Sequence, residues 1–177
     1  MLSTSFTVEK AAAGDIAGIS ALYDEVNDFL ASTINYNSPR WVKGVYPAAE
    51  TAEKAFCGGT LFVLKKDNKI AGSCIINNEQ HPDYKRVKWS LSAEPEEVLS
   101  VHTLVTSPSF RKQGIAKKLL EFAVDYSRKN GAKTIRLDTY KANIPAINLY
   151  KKCGFKEAAE ITTTVTKVRI VVFEYVL

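Results

Sequence analysis

Three observations predict an α/β protein with a mixed central sheet of about seven strands. Short apolar runs with strand-like alternation recur from Phe6 to Val176, and stretches with helical periodicity separate them. A basic, glycine-containing loop carries the apolar run Val98–Val105 directly into an amphipathic segment, as in a strand–loop–helix unit. The C-terminal stretch Glu157–Val176 is rich in β-formers and has no helix pattern between its halves, which suits antiparallel strands.

The first strand is expected at Phe6–Glu9. Asp15 is a good N-cap for a helix reaching Thr33, because Ile16, Ile19, Leu22, Tyr23, Val26, Phe29 and Leu30 recur at helical spacing. Asn35–Pro47 reads as a loop, and Ala48–Phe56 as a shorter helix ending at Gly58-Gly59. Thr60–Lys65 and Lys69–Asn77 form two strands joined at Asp67-Asn68, a hairpin signal. Glu79–Pro95 is polar and reads either as a loop or as an extended tip over Val87–Leu91. Val98–Thr106 is the next strand, stopped by Pro108. A helix follows over Gln113–Asn130, with Ile115, Leu119, Phe122, Ala123 and Tyr126 on one face and Gly131 closing it. Lys133–Thr139 is a strand, and Ile144–Lys152 a helix with Pro145 tolerated in its first turn. Glu157–Thr166 and Lys167–Val176 complete the sheet.

The 177 residues suit one domain, 1–177, without internal repeats or domain-sized linkers. Hydrophobic content of 46% and charged content of 24% are those of a soluble globular chain. No apolar run is long enough to cross a bilayer, and Met1–Val8 is too polar and short for a signal or transit peptide. Cys57, Cys74 and Cys153 are odd in number and widely spaced, which argues against a disulfide framework or a cysteine metal site and favours a reducing cytoplasm. No metal is expected. The net charge of +5 is spread among acids and lacks an Arg-rich run or an aromatic nucleic-acid motif, so it suits an anionic small ligand better than a nucleic acid. A homodimer is compatible with the sequence, which does not fix the oligomeric state.

The most informative segment is Arg111-Lys112-Gln113-Gly114-Ile115-Ala116, followed by Lys117 and Lys118. A helix start leaves backbone N–H groups without partners and carries the positive end of the helix dipole. Gly114 and Ala116 keep side chains out of the way, and the basic residues add charge. Together they make a phosphate cradle, where the plain alternative is an ordinary helix start with a solvated basic face. Downstream lies a second pattern, Asn143-Ile144-Pro145-Ala146-Ile147-Asn148-Leu149-Tyr150 and then Cys153-Gly154-Phe155.

With both motifs joined by the expected elements, the chain resembles the GNAT superfamily of acetyl-CoA-dependent N-acetyltransferases. Residues 111–116 look like its pyrophosphate loop, and residues 143–155 like its N-x-x-A-x-x-x-Y-x-x-x-G-F signature. The resemblance implies the GNAT fold, in which the fourth and fifth strands are parallel but splay apart to admit acetyl-CoA. Those strands are here Val98–Thr106 and Lys133–Thr139, so Leu104 and Val105 are expected to pair with the pantetheine arm. Arg111, Lys112, Gln113, Gly114, Ile115, Ala116 and Lys117 are expected at the pyrophosphate, and Asn143 and Ala146 near the pantetheine.

Acetyl transfer to an amine needs a neutral nucleophile, although a free alkyl amine has a pKa of roughly 10, and a protonated or tolerated thiolate leaving group. Tyr150, on the helix after the fifth strand, stands where the family carries its general acid. Its plain alternative is a packed helix tyrosine. His102 is the candidate base or relay, resembling a histidine of arylalkylamine-type members, and alternation puts it on one face with Leu104. Glu79 acting through water is a second candidate base. Acceptor contacts are expected among Tyr23, Asp24, Asp28, Tyr36, Trp41, Tyr46 and Trp89, because acids and aromatics suit a cationic amine. Two rivals stand beside catalysis by direct transfer in a ternary complex. One is a non-catalytic CoA-binding sensor on this fold, and the other, nucleic-acid binding, rests only on net charge.

Overall fold

The computed structural model describes residues 6–33 and 41–177. Seven strands follow in the sheet order β1-β2-β3-β4-β5-β7-β6, mixed in direction. They are β1 (Thr7–Lys10), β2 (Leu61–Lys66), β3 (Lys69–Asn77), β4 (Val98–Thr106), β5 (Thr134–Tyr140), β6 (Lys156–Thr162) and β7 (Arg169–Val176). The helices are α1 (Ile16–Ser32), α2 (Ala49–Cys57), α3 (Ile115–Lys129) and α4 (Ile144–Lys152). The chain divides into two compact units, one of residues up to Ile76 with His102–Leu119, the other of Asn77–Val101 with Leu120–Leu177.

In the first unit β1, β2 and β3 pair antiparallel. The Asp67-Asn68 turn has φ of 50° and 59°, the two left-handed residues that a tight hairpin of matching twist requires. The core joins Ile19, Leu22, Tyr23 and Val26 of α1 to Ala52 and Ala55 of α2, Leu61 and Val63 of β2, Ile75 of β3 and Val105 of β4. Asp15 departs from its expected role. It precedes α1 in helical conformation and makes no side-chain cap to it; its carboxylate instead accepts from the Ala12 N–H at 2.8 Å, closing a 3₁₀ turn one step earlier. Lys65 bridges to it, and that partner together with the Ala12 N–H outweighs its partial burial and holds its carboxyl below the ordinary range.

Gly72 of β3 fixes where α3 begins. A Cβ there would stand 2.8 Å from Ile115 Cγ2, 2.9 Å from the Val105 carbonyl oxygen and 3.0 Å from Leu119 Cδ1. The first turn of α3 therefore rests on bare backbone. The buried stripe of α3 is Ile115, Leu119, Leu120, Ala123, Val124 and Ser127. Phe122 and Tyr126, expected on the same face, lie beside it half-exposed and stack on each other at 5.9 Å.

In the second unit β4 and β5 pair parallel, from Val98↔Thr134 to Ser100↔Arg136, while β4 runs on to Thr106 and β5 to Tyr140. β7 pairs antiparallel with β5 and β6. Residues 79–95 form no strand among the described residues. The extended tip considered over Val87–Leu91 is absent, and a 3₁₀ turn, Pro82–Arg86, precedes it. A buried ion pair and an apolar cluster, Tyr84 and Val87 with Ile170 and Val172, hold this segment. Arg136 of β5 and Glu174 of β7 are 6% and 3% exposed and meet at 3.3 Å. Gln80 accepts from Arg136 at 2.8 Å, Trp89 lies 3.8 Å under its guanidinium, and Glu174 accepts from the Ser90 N–H. Every one of those partners except the two charges comes from the 79–95 segment, which the pair thereby pins without regular structure.

Gly72→Ala tests the close approach. Alanine gains up to about 1 kcal/mol in backbone entropy over glycine, whereas forcing a methyl into a filled site costs about 1–3 kcal/mol. The clash wins because one of its partners is a backbone carbonyl, so the denaturant midpoint of the variant should fall without a change in slope.

Candidate functional site

The loop after β4 is built from local hydrogen bonds and then tied to α1. The Ser107 N–H donates to the Ala71 carbonyl at 2.9 Å, and its hydroxyl oxygen accepts from the Ser109 N–H at 3.1 Å, opening a 3₁₀ turn over Pro108–Phe110. Glu25, half-buried on α1, accepts from the hydroxyls of both Ser107 and Ser109 at 3.1 Å. The Arg111 guanidinium lies 4.9 Å over the Phe29 ring of α1. Lys66 donates to the side-chain oxygen of Gln113 at 2.6 Å.

The turn into α3 needs left-handed backbone twice, at Lys112 (φ 62°) and at Gly114 (φ 76°). A Cβ placed on Gly114 would meet nothing within 4 Å. Its glycine is thus required by conformation, and the space before it is open to a ligand. Ile115 is buried and anchors the helix start, Ala116 is half-buried, and Arg111, Lys112, Lys117 and Lys118 are exposed around it. The open space, the positive end of the helix dipole and the cations together fit a pyrophosphate.

Upstream in β4, exposure alternates as expected. His102, Leu104 and Thr106 are half-buried, whereas Thr103 and Val105 are buried. One feature had no sequence signal: Thr103 has φ 47° inside the strand, and its hydroxyl meets that of Tyr46 at 2.8 Å.

In the second unit, Asn143 caps α4. Its side-chain oxygen accepts from the Ala146 N–H at 3.2 Å and its amide nitrogen donates to the Thr139 hydroxyl at 3.0 Å. The Ala146 amide is therefore engaged by its own cap. Tyr150 is 7% exposed, edge-on to Phe173 at 5.5 Å and tilted to Phe155 at 6.3 Å.

Of the expected acceptor residues, Trp41 packs within the first unit on the core that holds Tyr23 and also meets Tyr46 edge-on at 6.3 Å. Tyr36 lies outside the described residues. Asp28 is paired with Lys43 at 2.5 Å, both more than half exposed. Tyr23 is fully buried, and burial pushes its hydroxyl above the ordinary range, so it belongs to the core. Trp89 serves the Arg136 pair, and Glu79 is exposed just after β3. Cys74 is buried and its thiol is pushed up to about 12, which makes it inert. Among the described residues no group of His, Cys, Asp and Glu is arranged to hold a metal ion, and no helix is long and apolar enough to cross a membrane. Sequence reasoning missed Glu25 and the Tyr46–Thr103 contact, because polar residues on a helix flank or in a loop carry no mark of what they touch in the fold.

A strand, a left-handed basic turn and a helix start define a phosphate-cradle class of site. The chain belongs to the acetyltransferase (GNAT) family, which it matches over residues 29–155. It is 38% identical over 68 residues to a streptothricin acetyltransferase of Escherichia coli, covering 38% of this chain and 39% of that protein. It is 26% identical over 87 residues to the ribosomal protein bS18-alanine N-acetyltransferase of Escherichia coli K12, covering 49% and 59% respectively. The matched part thus spans less than two thirds of these relatives. Among solved structures, a GNAT-family acetyltransferase of Streptococcus agalactiae 2603 superposes with a TM-score of 0.82 at 18% identity, covering 97% of this chain and 95% of that one. The protein YncA of Salmonella typhimurium, solved with its cofactor acetyl-CoA, superposes with a TM-score of 0.68 at 17% identity, covering 97% and 94%. At such identities the structures show the fold alone.

The cradle separates two substitutions at Gly114. Gly114→Ala adds only left-handed strain, about 1–2 kcal/mol, and should weaken CoA binding less than about tenfold. Gly114→Glu adds a carboxylate where a pyrophosphate would lie and should weaken it more than about 100-fold. Calorimetric titration with CoA checks both; equal affinity in the glutamate variant would move the phosphate elsewhere.

Proposed function

We propose that residues 1–177 act as one catalytic domain that moves an acetyl group from acetyl-CoA to a primary amine by direct transfer in a ternary complex. The observation that carries this reading is Gly114, left-handed with open space before it, at a helix start ringed by cations in a chain of this family. Arg111, Lys112, Lys117 and the backbone of Gln113–Ala116 would hold the pyrophosphate. Leu104 and Val105 would pair with the pantetheine arm, and Asn143 and Ala146 would lie near its far end.

In the step itself the amine nitrogen attacks the thioester carbonyl carbon, and the carbon–sulfur bond breaks. His102 takes the amine proton and Tyr150 gives a proton to the departing thiolate, leaving an amide and free CoA. A small-molecule amine is the first acceptor class and a protein N-terminus or lysine the second. The streptothricin and ribosomal-protein enzymes among the relatives support one class each. The three cysteines, none of them in a disulfide among the described residues, support a cytoplasmic setting. The sensor reading has its own support in the ring contacts of Tyr150, which would suffice for a packing role.

Acetyl-CoA binding, followed by thermal shift, tests the cofactor: a ligand bound only by the folded chain raises its melting temperature. A panel of diamines and alanine-terminated peptides tests the acceptor. Tyr150→Phe should lower kcat about 10²-fold while leaving acetyl-CoA affinity intact, and a thioester with a more acidic leaving thiol should recover part of the rate. Wild-type kcat in that variant would leave Tyr150 a packing residue. His102→Gln should lower turnover and shift the pH–rate profile, with acetyl-CoA affinity nearly unchanged. A superimposable profile would assign the proton to water or to Glu79.

A further inference from the structure

Among the described residues with positive φ other than glycine, Asp67, Asn68, Lys112 and Lys167 lie in turns or loops, and Thr103 lies within a strand. A β-branched residue at φ 47° is a steric outlier, and such residues persist only where their surroundings over-determine them. The surroundings of Thr103 are specific. It is 7% exposed, and its hydroxyl is 2.8 Å from that of Tyr46, 57 positions away.

Tyr46 is itself held from behind. Buried Asn27 of α1 donates to the carbonyls of Tyr46 and Pro47, at 3.4 and 3.2 Å. The Val42 N–H donates to the Tyr46 carbonyl at 2.8 Å, and the Tyr46 N–H returns a bond to Val42 at 2.9 Å. Tyr46 is 37% exposed and its ring meets Trp41 edge-on, and what its hydroxyl adds to these anchors is the contact with Thr103. A left-handed residue inside a strand turns the peptide planes and side chains on either side of it, and the neighbours of Thr103 are His102 and Leu104.

We propose that Tyr46 is a positioning residue for acetyl transfer: its hydroxyl holds Thr103 left-handed and so sets the direction of the His102 side chain and of the peptide groups around Leu104. This rests on the reading that β4 carries the proton relay and the acetyl-bearing arm. A neutral hydrogen bond and the strain it opposes are of the same order, so losing the hydroxyl lets Thr103 relax toward extended backbone. Glycine at 103 adopts a positive φ without that opposition.

The test uses the full chain and acetyl-CoA labelled with carbon-13 at the acetyl carbonyl, read by isotope-edited infrared spectroscopy, which needs no acceptor. In the wild type the bound carbonyl band should stand apart from that of free acetyl-CoA. Tyr46→Phe should return it toward the free position with acetyl-CoA affinity changed less than about twofold. Adding Thr103→Gly to Tyr46→Phe should restore the wild-type band. With an amine from the panel, turnover should fall about fivefold to tenfold in Tyr46→Phe and recover in the double variant. An unmoved band in Tyr46→Phe, or a shifted band that Thr103→Gly does not restore, overturns the positioning role while leaving the acetyltransferase reading intact. A wild type that does not bind acetyl-CoA at all overturns both.

Discussion

The absence of a side chain at Gly72 is the constraint from which the candidate cofactor site follows. With Val105 O, Ile115 and Leu119 all about a methyl's reach from its α-carbon, β3 meets β4 and the first turn of α3 at backbone distance. That approach sets where α3 starts, and a helix start is where unsatisfied amides and the positive dipole end are found. The cations of residues 111–118 are exposed, with Arg111 over the Phe29 ring and Lys118 over that of Phe6. The position of the charge they surround is determined by packing beneath them, through Ile115 and Leu119, which are buried to 3% and 0%.

A second layer of control comes from α1. Glu25 accepts from two serine hydroxyls of the loop before the cradle, and Phe29 lies beneath Arg111. The same helix holds the 42–47 turn through Asn27. One helix face therefore builds the core, and its flanks organise both the loop after β4 and the tyrosine that reaches Thr103. Such contacts contribute little to stability one at a time. Their effect is geometric, fixing backbone that has no regular ladder to fix it.

The second unit solves a similar problem with charge. Residues 79–95 bury Tyr84 and Val87 against Ile170 and Val172, and they also partner a desolvated pair, Arg136 and Glu174, through Gln80, Leu91 and Ser90. Burying two ions is costly and repays little in net stability, but an unpartnered member would be costlier still, which makes the arrangement selective. Tyr84 extends it: its hydroxyl, kept protonated by burial foremost and by the nearby Asp138 carboxylate, donates to Asp138 at 2.7 Å. On α4, Asn143 shows how one residue serves a local rule, since it satisfies the Ala146 amide and is tied to Thr139 of β5.

What the sequence determined by itself was the set of elements and the family. Period-two and helical periodicities report which face of an element is buried, and these were legible for each strand and α-helix, with ends displaced by a residue or two except at β6, which stops at Thr162, four residues before the expected Thr166. The hairpin turn at Asp67-Asn68 was also legible, because it is dictated by the residues' own conformational preferences. Tertiary structure alone decided the rest. Asp15 caps an earlier turn than expected, since Lys65 and the Ala12 amide compete for it. Phe122 and Tyr126 leave the buried stripe to Leu120, Val124 and Ser127, because a helix buries the face that its neighbours cover, not the most apolar set of residues. The partners of Glu25, Asp28, Trp89 and Tyr46 lie up to 84 positions away or on unrelated elements. Contacts at such separations leave no periodicity in a chain, so neither the left-handed Thr103 nor its contact with Tyr46 is written in it.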